Sequence, residues 1–165
     1  MRYAWLLVAL FLAACAAEDR AANGTAERAP GLTGLYSGSN GGGKKPAANG
    51  DRLCLRGEAV NPEGARFAFV TLGEAIERGR AACSGLGKAR RADDTLALTM
   101  TGDGDCSFSA RIVDERILFP AEVPEGCSYY CSEAASLAGQ EFALSEAGEE
   151  AARRAVDLVG DPLCP

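Results

Sequence analysis

The clearest periodicity of apolar and polar residues lies between residues 65 and 119. Leu96, Leu98 and Met100 alternate with Thr95, Ala97, Thr99 and Thr101, the period of two expected of a half-buried strand. Cys106, Phe108, Ala110 and Ile112 repeat the pattern against Ser107, Ser109 and Arg111. Gly102-Asp103-Gly104-Asp105 between them carries hairpin-turn chemistry. Asp114-Glu115 or Glu115-Arg116 makes a second turn into Ile117-Leu118-Phe119, which Pro120 stops. Upstream, Phe67 to Leu72 is apolar on both faces and suits a central strand, while Leu53 to Leu55 and Leu86 to Arg90 are shorter candidates. The pattern predicts four to six antiparallel strands in meander order. Such a sheet must close or cover its edges.

The period changes near the carboxy terminus. Ser145 is a candidate N-cap, and Glu146 to Leu158 is predicted as a helix, with Glu149/Arg153 and Glu150/Arg154 spaced i,i+4 in the favourable order. Gly160 suits the position after a helix end, and Pro162 blocks continuation. Ala151, Ala155 and Leu158 form a narrow apolar stripe for lying on a sheet or across a barrel end. The expected class is mainly β with a C-terminal helix (α+β): a small antiparallel meander sheet, barrel- or sandwich-like, and stapled by disulfides.

The first 15 residues follow another logic. Arg2 is a positive head, Trp5 to Phe11 an apolar run, and small residues follow, the layout of an export signal. Tyr3 to Ala17 is too short for a membrane span, which needs ~20 residues. Leu12-Ala13-Ala14-Cys15 resembles the lipobox of bacterial lipoproteins. That resemblance implies cleavage before Cys15, acylation of its sulfur and usually of the new amino terminus. Alanine at position 16, where aspartate commonly signals inner-membrane retention, favours the outer membrane, on its periplasmic face. Each buried methylene contributes ~0.8 kcal/mol, and more than one acyl chain is needed for stable attachment. The membrane is therefore the first expected partner, held through lipid on Cys15.

Residues 1–14 read as signal peptide, 15–50 as lipid-anchored tether and 51–165 as the folded domain. Ala16 to Gly50 is rich in Ala, Gly, Asn and Ser and buries too little to offset its ordering entropy. As a Gly-rich coil it would reach roughly 30–35 Å. Leu32, Leu35 and Tyr36 are its apolar exception, suited to adding a strand to the domain. Gly38 to Lys45 imitates a phosphate loop, but Lys45 and Pro46 stand where a hydroxyl and a helix are required. Beyond Cys15, the cysteines are Cys54, Cys83, Cys106, Cys127, Cys131 and Cys164, an even number that in an exported chain reads as up to three disulfides. Cys83 with Cys106 would close a short loop, Cys54 with Cys164 would tie the domain's ends, and Cys127 with Cys131 would be a local staple. Sequence alone does not choose among the pairings.

Charge and composition narrow the chemistry. The chain has 165 residues with 17 Lys+Arg against 23 Asp+Glu, a formal charge of −6, and no histidine. An acidic surface argues against nucleic acid, whose binders need cations to displace counterions. Without histidine there is no Ser-His-Asp or Cys-His machinery and no His-ligated metal. Asp103 and Asp105 lack the further ligands of a calcium loop, so no metal and no cofactor is expected. Cys127-Ser128-Tyr129-Tyr130-Cys131 has three residues between its cysteines where a redox motif has two; it reads as a staple on a loop. Tyr129 and Tyr130 beside it offer a recognition surface, since tyrosine gives large contact area at low entropy cost. Arg78, Arg80, Lys88, Arg90 and Arg91 are the main basic concentration, read either as a protected edge strand or as a contact for phosphate or acidic groups.

In size, anchoring and β-rich disulfide character the chain resembles membrane-bound lysozyme inhibitors. The resemblance covers architecture only: no residue of that family's inhibitory loop is matched, and the cysteines are more numerous here. The expected function is that of a non-catalytic, membrane-anchored envelope lipoprotein, a binding or inhibitor-like module for an envelope protein or glycan. Its candidate surface is Tyr129, Tyr130, Lys88, Arg90 and Arg91. The alternatives are a structural envelope component and a glycan hydrolase using two of the many carboxylates.

Overall fold

The computed structural model describes residues 31–38, 50–59, 64–77 and 79–164. The signal segment, Cys15, most of the tether, the phosphate-loop imitation beyond Gly38 and Arg78 lie outside these residues. Eight strands form a closed antiparallel barrel in chain order: β1 (Gly34–Gly38), β2 (Arg52–Arg56), β3 (Ala65–Ile76), β4 (Gly79–Ala92), β5 (Thr95–Met100), β6 (Ser107–Val113), β7 (Arg116–Leu118) and β8 (Glu141–Ala147). β8 pairs back onto β1 and closes the ring. The mainly β, disulfide-stapled class is thus a barrel, with a short helix α1 (Glu149–Arg154) after it.

Alternation decides which side chains fill the barrel. Leu96, Leu98 and Met100 of β5 are buried while Ala97 and Thr99 are exposed. Phe67 and Phe69 of β3, Leu53 and Leu55 of β2, Ile117 of β7 and Phe142 of β8 join the same core. Phe119 sits among the rings, with centroids 4.9 Å from Phe108, 5.2 Å from Phe142 and 6.4 Å from Phe69. β4 makes room for them by being small on its inner face: Ala81, Cys83, Gly85, Gly87 and Ala89. A methyl group at Gly87 would stand 2.1 Å from the Thr99 carbonyl oxygen and 2.8 Å from the Phe67 ring. An eight-stranded barrel has an interior just wide enough to be filled by its own side chains, and here large rings do the filling.

Several expectations change in the structure. Gly34–Gly38, placed in the tether with the option of an added strand, is β1 of the barrel. Tyr36 points inward, buried, and its hydroxyl donates to the Leu32 carbonyl at 2.7 Å. Lys88, Arg90 and Arg91 lie in the part of β4 paired with both β3 and β5, so the edge-strand reading fails for them; Arg80 lies in the part paired along β3. Ser145 caps no helix. It lies in β8, and its hydroxyl donates to the Leu35 carbonyl.

The predicted helix shrinks for a related reason. Gly148, with φ of 98°, ends β8 and starts α1, which stops at Arg154 because Ala155 turns extended and its carbonyl accepts the Leu163 N–H. Arg154 pairs with Glu146, Arg153 with Glu150 and Arg56 with Glu149, instead of the i,i+4 pairs. Leu158 leaves the expected stripe and is exposed.

The disulfides are Cys54–Cys164, Cys83–Cys131 and Cys106–Cys127. Of the pairings considered, the one tying the ends together is present; Cys83–Cys106 and Cys127–Cys131 are not. Cys54 points out of the barrel, and with Cys164, Leu35, Ala68, Val70, Ala155 and Leu163 it forms a second apolar cluster on the outer wall. The terminal segment therefore clamps across β1, β2 and β3 from outside.

Asp51, just before β2, is 3% exposed and accepts the Leu72 N–H at 2.6 Å. Burial pushes its carboxyl above the usual range, opposed by that hydrogen bond and by the Arg80 charge. The folded state keeps this proton to higher pH than the unfolded chain does. Stability from Asp51 therefore falls as pH rises from the ordinary carboxylate range to the raised value, then levels. Asp51→Asn, which retains an acceptor oxygen, is expected to remove that slope in urea unfolding at stepped pH; an unchanged slope contradicts it. Glu149 has the opposite sign. The Arg56 hydrogen bond holds its pKa low, so its small contribution is lost as pH falls through that lowered pKa.

Candidate functional site

The two ends of the barrel differ. Residue 33 leads into one end, called here the near end, beside the close of β2 and the turns at Asp93-Asp94 and Asp114-Glu115. The β5–β6 turn and the long β7–β8 connection lie at the far end. That connection folds over the far mouth and carries the 3-10 helix η1 (Glu125–Tyr130). It reads as irregular in sequence because it obeys neither period; Pro120 and Pro124 break it, and cross-links rather than alternation hold it.

Cys127 bridges to Cys106 before β6 and Cys131 to Cys83 inside β4. Ser132 adds two hydrogen bonds to Ala82, its N–H donating at 2.8 Å and its hydroxyl accepting at 2.8 Å. The Tyr130 hydroxyl donates to the Gly104 carbonyl at 3.0 Å, tying the loop to the β5–β6 turn. Leu137 and Cys127 are buried in the main core beneath it. The loop is thus a plug, pinned at several points.

Two features stand on this plug. The Tyr129 ring is 62% exposed and packs edge-on against Tyr130, with centroids 5.2 Å apart. Beside it is a cavity of about 170 Å³ lined by Val123, Pro124, Glu125, Ser128, Ala135, Ser136 and Leu137 and by Cys127 and Cys131 of the loop. Glu125 is the one ionisable side chain in that lining. Glycan cleavage by two carboxyl groups needs a pair separated by ~5–9.5 Å across a substrate, and this cavity presents one. Among the described residues no group of three or more Cys, Asp and Glu is placed to hold a metal ion. Asp103 and Asp105 occupy the exposed β5–β6 turn.

Comparison of the chain with known protein families, characterised proteins and solved structures finds no match. What the site can do must come from its geometry.

The candidate residues fall into two groups. Tyr129 and Tyr130 belong to the far-end plug, one exposed and one half-buried. Lys88 and Arg90 project from the outer wall of β4 toward the near end, while Arg91 has the opposite parity, is half-buried, and donates to the Asp93 carbonyl. The structure therefore separates Arg91 from its neighbours. It adds Arg66, which stands directly opposite Lys88 on β3. Sequence reading missed Arg66 because its strand partner is far along the chain, although position parity within Ala65 to Val70 marks it as outward. Val159 was missed too. It is 82% exposed on a loop whose turn is held by Asp157 accepting the N–H groups of Val159 and Asp161. Among the described residues no helix is long and apolar enough to cross a membrane.

Proposed function

We propose that the protein is a lipid-anchored, non-catalytic envelope lipoprotein that binds a protein or glycan partner through the plug at its far end. Three lines support the reading. The lipobox resemblance places lipid on Cys15, and the alanine after it favours the outer membrane. A barrel packed with its own aromatic rings has its recognition surface outside, on loops. The observation that carries most weight is an exposed tyrosine on a loop cross-linked twice to the barrel: a ring held in place before contact loses little entropy on binding. The far end is also opposite the end at which residue 33 enters the barrel. An inhibitor-like role is the form suggested by the architecture of membrane-bound lysozyme inhibitors.

A photoreactive residue at position 129 in living cells is expected to capture a discrete partner, and one at position 97 on the barrel wall is not. Tyr129→Ala should weaken capture from position 128 at least tenfold while changing stability by no more than about 0.5 kcal/mol, since the ring is exposed. Equal capture from positions 129 and 97 contradicts the plug as the binding surface. The anchor has its own test: Cys15→Ser should abolish incorporation of labelled palmitate, and undiminished labelling contradicts it.

A further inference from the structure

We infer that the cavity beside Tyr129 receives a lysine or arginine side chain of a polypeptide partner, which deepens the plug reading above and rests on it. The cavity, of about 170 Å³, has apolar walls in Val123, Pro124, Ala135 and Leu137. Its one ionisable residue is Glu125, which is exposed. The two hydroxyls of the lining are already engaged: Ser128 donates to the Glu125 carbonyl, and Ser136 accepts the Ala138 N–H. Apolar walls with a single carboxylate match a side chain that lays an alkyl stem on apolar surface and keeps a charged head near water. The space equals the volume of about five or six waters, which the narrow side chain of lysine can displace.

Charge selects the occupant. Glu122 and Glu125 of the plug and Asp103 and Asp105 of the β5–β6 turn are exposed. Turn and plug touch: a methyl group at Gly104 would stand 2.8 Å from the Tyr129 Cβ, and one at Gly126 would overlap the Asp105 carbonyl. Among the described residues none of these four carboxylates is held in an ion pair. Segments 92–110 and 117–152 contain no lysine or arginine. The nearest cations by strand register lie to either side. Arg80 precedes Ala82, which bonds to Ser132, and its guanidinium donates to the Gly73 carbonyl. It offsets the acid on that side, Glu133, which is therefore left out of the count. Lys88 stands opposite Thr99, on the barrel wall short of the turn. Charges more than ~8 Å away are largely screened at physiological salt, so the four carboxylates set the local sign.

A negative rim around an apolar hole steers a basic polypeptide to it and repels glycans that carry carboxylates or phosphates. The exposed Tyr129 ring works in the same direction, because an aromatic face attracts cations. Of the two partner classes left open by the plug, protein or glycan, this chemistry favours a protein with a basic side chain at the centre of its contact.

The test uses residues 15–165 with Cys15→Ser, titrated with end-blocked Gly-Gly-X-Gly-Gly peptides in which X is lysine, norleucine or glutamate. Binding is read from the methyl resonances of Val123, Ala135 and Leu137. The lysine peptide should move them at low salt, the norleucine peptide should bind about fivefold more weakly, and the glutamate peptide should not bind. The gap between lysine and norleucine should close as salt rises. Glu125→Gln should bring the lysine peptide down to the norleucine level, and Glu125→Lys should reverse the order so that glutamate binds better than lysine. Glu125 is exposed, so neither variant endangers the fold. The anionic disaccharide of N-acetylglucosamine and N-acetylmuramic acid should move none of these methyls. Equal binding of lysine and norleucine, an order unchanged by both Glu125 variants, or shifts from the disaccharide where the lysine peptide gives none overturns the inference. Capture from position 129 without lysine-peptide binding overturns this inference and leaves the plug reading standing. Peptide binding without capture overturns the plug reading while the cavity's preference for a basic side chain stands.

Discussion

Replacing Cys54 and Cys164 by serine is expected to destabilise the protein by about 4–5 kcal/mol, the largest effect of removing any one bridge. The two cysteines are 110 residues apart in sequence, and in the chain-entropy model the stabilisation rises with the length of the closed loop. Cys106–Cys127, with a separation of 21, should be worth only about 3 kcal/mol on the same basis. The longer bridge also holds the outer apolar cluster together. Without it Ala155 and Leu163 have no covalent tie to the wall of Leu35, Ala68 and Val70, and the terminal segment is expected to detach before the barrel opens. Urea unfolding of the two double-serine variants, read alongside hydrogen exchange of residues 148–164, checks both statements. If the Cys106/Cys127 variant proves the less stable, or the terminal segment stays protected without Cys54–Cys164, the clamp does not work as described.

Phe119→Ala should cost 3–5 kcal/mol, the usual range for removing a buried phenylalanine. Phe119 is 5% exposed and touches the rings of Phe69, Phe108 and Phe142, so no single neighbour can collapse into the space. Phe119→Leu, which keeps most of the volume, should cost less than half as much. The cavity left by alanine has an apolar lining, and such cavities stay dry and admit benzene. Benzene should therefore raise the melting temperature of Phe119→Ala and leave the parent protein unchanged. A parent protein that itself gains stability from benzene would have space inside the barrel, and the outside-only account of recognition would fail.

These two effects fall in parts of the fold that the sequence revealed unequally. The β5–β6 hairpin was legible because Leu96 to Met100 and Phe108 to Ile112 alternate strictly around a Gly-Asp-Gly-Asp turn. β4 was seen only as Leu86 to Arg90, since its inner face is small. Ala81, Gly85, Gly87 and Ala89 give no hydrophobic alternation; their role is to leave room for rings on β3. β8 was hidden by Ser145, which resembles a helix cap in isolation but serves as an outward strand residue bonded to Leu35. The terminal helix was overextended because an apolar spacing cannot show a disulfide pulling the chain back along the barrel.

The candidate site was legible as residue types and not as arrangement. Tyr129 and Tyr130 were recognisable from their place between two cysteines, but the loop's rigidity comes from bridges to Cys83 and Cys106, whose pairing spacing alone did not show. The basic wall was half visible. Lys88 and Arg90 were found in sequence, Arg91 was wrongly grouped with them, and Arg66 required the register of β3 against β4. Cross-strand neighbours are set by pairing, which local periodicity does not contain.

An export-dependent, stapled and lipid-held barrel is most directly tested by the intact mass of the protein isolated from membranes without reduction. The predicted species begins at Cys15, carries acyl groups there, and has lost six hydrogens to Cys54–Cys164, Cys83–Cys131 and Cys106–Cys127. A chain that retains residues 1–14, starts at an unmodified residue, or holds free thiols would contradict it.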